Sequence, residues 1–103
     1  MDIEYLYKEK TKTFVGMSYN EDLNIYLMHM EMEDWKVSTY KRYRKIWDNV
    51  IIPEIKKAGI KEFYGLCDNK KAVKFNQMFG LNPTGLMVTT TDGVEQILTK
   101  KEL

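Results

Sequence analysis

Between Asn69 and Gly80 the chain carries a helix start, an apolar stripe and a helix stop, and strand-like runs bound it on both sides. Asp68 or Asn69 can accept hydrogen bonds from the first free amides of that helix. Ala72, Val73, Phe75, Met78 and Phe79 recur at three- and four-residue steps and predict its buried stripe. Gly80 stops it, because glycine alone enters the left-handed region without a Cβ penalty. Glu62 to Cys67 reads as the strand before this helix. Pro83 and Gly85 make a turn after it, and Leu86 to Thr91 and Val94 to Thr99 then form a hairpin around Asp92-Gly93.

The preceding half reads by the same rules. Ile3, Tyr5 and Tyr7 alternate with polar residues, as do Val15, Met17 and Tyr19, which predicts two strands. Gly16 marks a bulge in the second. Leu23 to Met32 is the strongest strand: Leu23, Ile25, Leu27, His29 and Glu31 point one way, and Tyr26, Met28, Met30 and Met32 the other. Apolar residues on both sides predict a central strand covered on both faces. Ser38 or Thr39 can cap the next helix, whose inner face is Tyr40, Tyr43, Ile46, Trp47, Val50 and Ile51. Pro53 cannot donate to the carbonyl of Asn49, so the helix either kinks there or restarts with Pro53 in a new first turn. Gly59 closes it. The order β-β-β-α-β-α-β-β predicts an α+β (α/β-like) domain on one mixed sheet with two helices. Strands on either side of a helical crossover are expected to pair in parallel.

A chain of 103 residues, 44% hydrophobic, has material for one core, so residues 1–103 are read as a single domain. Net charge is +1, and no global field selects nucleic acid or a membrane. The lone Cys67 forms no intrachain disulfide. With no apolar run approaching the roughly 18 residues needed to span a bilayer, the expectation is a soluble cytoplasmic protein.

Asn69, Ala72, Phe75, Gly80 and Leu81 fall on the pattern N-x-x-A-x-x-F-Y-x-x-x-G-F, and a strand-helix-strand precedes that helix while a hairpin follows it. In motif and element order, from Leu23 to Leu103, the chain resembles the GNAT acetyltransferase superfamily. The resemblance implies a GNAT-like fold, acetyl-CoA as cofactor and N-acyl transfer. Three departures bear on those implications. The segment 33–39, where the family holds the coenzyme diphosphate on bare amides, is Glu33-Asp34-Trp35-Lys36-Val37-Ser38-Thr39 and has no glycine. Position 76, where the family commonly has a tyrosine acid, is Asn76, which cannot donate a proton at neutral pH. The family's N-terminal strand-helix-helix region has no counterpart in residues 1–22. Small GNAT-like proteins also occur in phages, some as internal virion proteins, and the tract Tyr40 to Lys45 looks similar in character to their basic helix start.

The expected function is therefore that of a degenerate GNAT-like domain, a pseudoenzyme of viral or mobile-element type that binds a partner protein in the host cytoplasm or virion and needs no cofactor. Its surface would be the open V between the central strand and Glu62–Cys67, or the basic helix face. The alternative is a minimal acyl-CoA-dependent N-acetyltransferase, and the residues leave open whether the chain is an enzyme. There Glu31 or Glu33, with His29 beside them, would supply the base. Met30 to Met32 would hold the pantetheine arm, and Lys36, Ser38, Thr39, Lys41 and Arg42 the phosphates. A second alternative is nucleic-acid binding through residues 36–45, whose tyrosines interleave with basic side chains. His29, Glu31 and Glu33 lack a second cluster that would complete a metal site. The methionines Met28, Met30, Met32, Met78 and Met87 either fill the core or line an adaptable groove. Cys67 reads as a small buried apolar residue. A homo-oligomer is compatible with an exposed sheet edge.

Overall fold

The two alternating runs near the N-terminus form an antiparallel pair, β1 (Glu4–Lys10) and β2 (Thr13–Asn20), in a computed structural model that describes residues 3–10, 13–32 and 36–103. β3 (Ile25–Glu31) returns antiparallel to β2 in unbroken register. The interruption predicted at Gly16 lies instead in β1, where the register slips between Tyr5 and Tyr7. Glycine suits position 16 for a different reason, since a Cβ there would come within 2.5 Å of the Ile3 side chain. Leu23 falls in the turn before β3, where Asn24 takes a positive φ.

Pro53 settles the shape of the long helical run. α1 (Val37–Ile46) passes into a π-turn at Trp47–Ile51, and α2 (Ile52–Lys57) restarts with Pro53 in its first turn. The wider turn accommodates a ring that would otherwise crowd the preceding carbonyl. The second of the two expected outcomes is thus observed, joined by a π-turn that periodicity does not reveal. The predicted caps fare differently. Lys36, extended and without a side-chain cap, precedes α1, so Ser38 and Thr39 lie inside the helix. Asn69 does cap α3 (Lys70–Met78), accepting from the Ala72 amide at 2.8 Å. Gly59, Gly80 and Gly93 all take the left-handed conformation at the stops read from the sequence.

β4 (Glu62–Cys67) pairs parallel with β3, as a crossover requires. The second crossover departs from expectation: β6 (Glu95–Glu102) inserts between β4 and β5 (Asn82–Thr89), antiparallel to both. The sheet order is β1-β2-β3-β4-β6-β5, one mixed sheet in an α+β fold. Among the described residues the helices share one face. Trp47, Ile51 and Ile55 pack with Val15, Met17 and Met28 from β2 and β3 and with Phe63 from β4. Phe79 and Leu81, just beyond α3, complete this core. The opposite face, bearing Leu27, His29, Tyr64 and Lys100, has no helix over it, so β3 is central but covered on one side only. Leu27 is nevertheless buried between Ser18 and Tyr64 on the flanking strands.

The predicted stripe of α3 is shallower than its spacing suggests. None of its residues is fully buried, Met78 is 37% exposed, and Phe79 beyond the helix end is the one wholly enclosed. α3 rests on the rim of the core, and that position creates the site.

Candidate functional site

The parallel joint between β3 and β4 holds at one register pair, Leu27 with Tyr64. Past it β3 runs on to Glu31 and β4 to Cys67 without laddering, and a cleft of about 850 Å³ lies along the gap. That size suits a small molecule or a short extended chain. Met28, Met30 and Met32 line it from β3 and its end, and Phe75 and Met78 from α3. His29 and Glu31, on the other face of β3, line it as well. The cleft is therefore a slot reaching both faces of the sheet, lined on the helix side by Met28, Met30 and Phe75 and on the bare side by His29 and Glu31 together with Phe14 and Leu66. Lys71 and Lys74 stand on its α3 rim, opposite Glu31.

Asn76 anchors α3 beside this slot. Its amide nitrogen donates to the Ala72 carbonyl at 3.0 Å, and its Oδ1 accepts from the Thr99 hydroxyl at 3.1 Å. Thr99 is fully buried and also lies 3.1 Å from the Gly65 carbonyl. Gly65 must be glycine for this contact, because a Cβ would meet Asn76 Oδ1 and lie 2.8 Å from Thr99 Oγ1. Asn76 is thus held on both sides, its amide nitrogen by α3's own backbone and its Oδ1 by the sheet.

The slot gathers only some of the sequence candidates. His29, Glu31, Met30 and Met32 line it. Glu33, like Asp34 and Trp35, lies outside the described residues. Lys36, Ser38, Thr39, Lys41 and Arg42 are not among its lining residues. The His29 Nε2 sits 2.7 Å from Ser18 Oγ, and burial holds the imidazole below its ordinary pKa. Burial thus favours the neutral ring, and the Ser18 bond occupies one ring nitrogen.

The two arginines of the basic tract are engaged within the chain, while Lys36, Lys41 and Lys45 are exposed. Arg42 pairs with Glu9 at 2.5 Å, and Tyr43 donates to the same carboxylate at 2.6 Å. The Arg42 hydrogen bond leads these in pulling the Glu9 carboxyl down to about 2. Arg44 reaches Asp48 at 3.2 Å and donates to the Met78 carbonyl at 2.7 Å. Tyr43 and Trp47 are buried, and Tyr40 meets Phe79 edge-on and donates to the Met78 carbonyl. These rings pack inward, so they do not present faces on which bases could stack. Cys67 is buried, and burial pushes its thiol up, away from the reactive range.

The slot lies where the sequence placed an open V, between the central strand and Glu62–Cys67, but sequence reasoning missed Phe14, Lys71 and Lys74 as residues lining it. The lysines' recurrence on the polar side of α3 was visible, but nothing local indicated that this side faces a gap in the sheet. Among the described residues no group of three or more His, Cys, Asp or Glu side chains is placed to hold a metal ion. No described helix is long and apolar enough to cross a membrane. Compared with known proteins, the sequence matches no family model, and no curated protein matches it.

Proposed function

We propose that the chain is a GNAT-like domain that works by binding a partner protein, taking an extended segment of it into the slot between β3 and β4. The carrying observation is the ladder that stops after Leu27–Tyr64 while both strands continue. Alternate residues of Met28–Glu31 then turn backbone N–H and C=O groups toward the slot, a template for an added strand. Side chains of a guest strand would alternate between Met28, Met30 and Phe75 on the helix face and His29 and Glu31 on the other. The parallel central joint, the capped α3 and the closing hairpin support the GNAT-like reading. The commitment of Asn76 to Thr99 supports a binding role over proton donation to a leaving thiolate.

The second reading, a minimal acyl-CoA-dependent acyltransferase, is favoured by one observation. His29 lines the slot, and its burial favours the neutral imidazole that a base requires. A pantetheine arm also presents amides to a strand edge.

Calorimetry distinguishes the two. Peptides with alternating apolar residues, selected from a random library, should bind saturably, protect the Met28–Glu31 amides from exchange, and lose binding in Met30→Lys. Saturable acetyl-CoA binding in the slot, with thiol release when amines are added, would refute the non-catalytic reading.

A further inference from the structure

The two edges of the sheet differ in chemistry. β1 carries Glu4, Lys8, Glu9 and Lys10 within its length, the charged pattern that keeps an edge from pairing with other strands. β5 has no charged residue, and the run from Asn82 to Thr91 has none either. It exposes Leu86 at 63% and Met87 at 53%.

The lower half of β5 is closed to a further strand. Pro83 has no N–H to offer. Between Pro83 and Met87 the register slips through a bulge in which Gly85 takes a φ of 85°. Within it the Leu86 amide donates to Thr84 Oγ1 at 3.1 Å, and the Thr84 hydroxyl donates to the Leu98 carbonyl at 3.0 Å. The upper half is open. Thr90 N–H donates to the Val94 carbonyl at 2.8 Å, which makes that pair a hydrogen-bonded one. The antiparallel alternation then assigns Val88 to β6 and turns the N–H and C=O of Met87 and Thr89 outward. β5 ends the strand order, so among the described residues no strand meets those groups.

We propose that β5 pairs antiparallel with β5 of a second copy, about a two-fold axis at Val88. In that register Met87 stands opposite the second copy's Thr89, and Thr89 opposite its Met87. Each pair exchanges N–H···O=C bonds. Val88 meets Val88, and Leu86 meets Thr90, whose backbone is already occupied within its own hairpin. The hydrogen bonds between the copies use only the regular part of the strand and every outward group in it. An uncharged edge with exposed apolar side chains brings no charge to the seam, whereas β1 carries charged residues along its length and is broken by two register slips. The sheet becomes continuous across both copies, with Leu86 and Met87 at the seam.

Sedimentation velocity over a concentration series tests this. The wild-type chain should shift to twice the monomer mass as concentration rises. Met87→Lys, at an exposed site, and Thr89→Pro, which removes an outward donor unused by β6, should both remain monomers with unchanged circular dichroism. Tyr5→Lys on the β1 edge should dimerise like wild type. In the dimer the Met87 and Thr89 amides should gain exchange protection. A wild-type chain that stays monomeric at every concentration overturns the proposal. So does a dimer that survives Met87→Lys, or one that Tyr5→Lys abolishes. Should Thr89→Pro fail to fold, Met87→Lys and the exchange data decide. The slot plays no part in this pairing, so failure of the peptide-binding reading leaves it standing.

Discussion

Gly65 shows how much one missing Cβ can determine. Asn76 approaches the sheet because nothing projects from Gly65, and Thr99 turns its hydroxyl into the same space. Gly65→Ala should cost about 1–3 kcal/mol in urea unfolding, as overpacking of a tight site does. In an Asn76→Ala background the same substitution should cost less, because the first obstructing atom is gone. Equal costs in the two backgrounds would rule out this account of Gly65. Glu9 presents the electrostatic case. Its folded carboxyl sits near 2, below the roughly 4.3 of a free glutamate. The Arg42 and Tyr43 contacts therefore contribute fully above the unfolded value and are lost as pH falls toward 2. Glu9→Gln should weaken the acid dependence of Tm across that window and lower Tm by a constant amount above it. An unchanged acid limb in the variant would remove Glu9 from the account. Tyr43 behaves oppositely: burial first, then Glu9, pushes its phenol up to about 12. Its contribution is intact below 10 and fades as pH rises through 12.

At the level of elements, caps and stripes separate into those that act and those that only look the part. Asn69 bonds the Ala72 amide, so Asn69→Ala should destabilise by about 1 kcal/mol. Ser38 lies inside α1 and forms no cap, so Ser38→Ala should change stability by less than about 0.5 kcal/mol. Thermal melts of the two variants check the contrast. α3 offers a second one. Phe79 is fully enclosed and meets Trp47, Tyr40 and Phe75 edge-on or tilted. Phe79→Ala should cost about 3–5 kcal/mol. Met78→Ala, at a partly exposed site on the slot, should cost far less. Periodicity treated the two residues alike, because spacing describes a helix face and not the depth of what lies beneath it.

Over the whole molecule, one ladder pair joins the β1–β3 half of the sheet to the β4–β6 half. The shared core compensates for that narrow joint. Trp47 and Ile51 contact a cluster drawn from both halves: Val15, Met17 and Met28 on one side, Phe63 and Leu81 on the other. Unfolding should accordingly be a single transition, coincident by tryptophan fluorescence and far-UV circular dichroism. Two resolved transitions would mean that the halves are separable and that the slot is a division between them.

Much of this architecture was legible along the chain. Alternation at Tyr5, Val15 and Met28 identified the strands, spacing at Tyr43, Trp47 and Ile51 the inward helix face, and Gly59, Gly80 and Gly93 the stops. These are local signals, fixed by backbone sterics and by the periods of helix and strand. The insertion of β6 between β4 and β5, the gathering of the helices on one face and the parting of β3 from β4 are not local. They depend on which hydrogen-bonding edges are free and which side chains fill one another's gaps across long stretches of chain. The fate of Asn76 follows the same division. Its identity removed a proton donor, but its bond to Thr99 against Gly65 exists only once residues far apart in sequence are brought together.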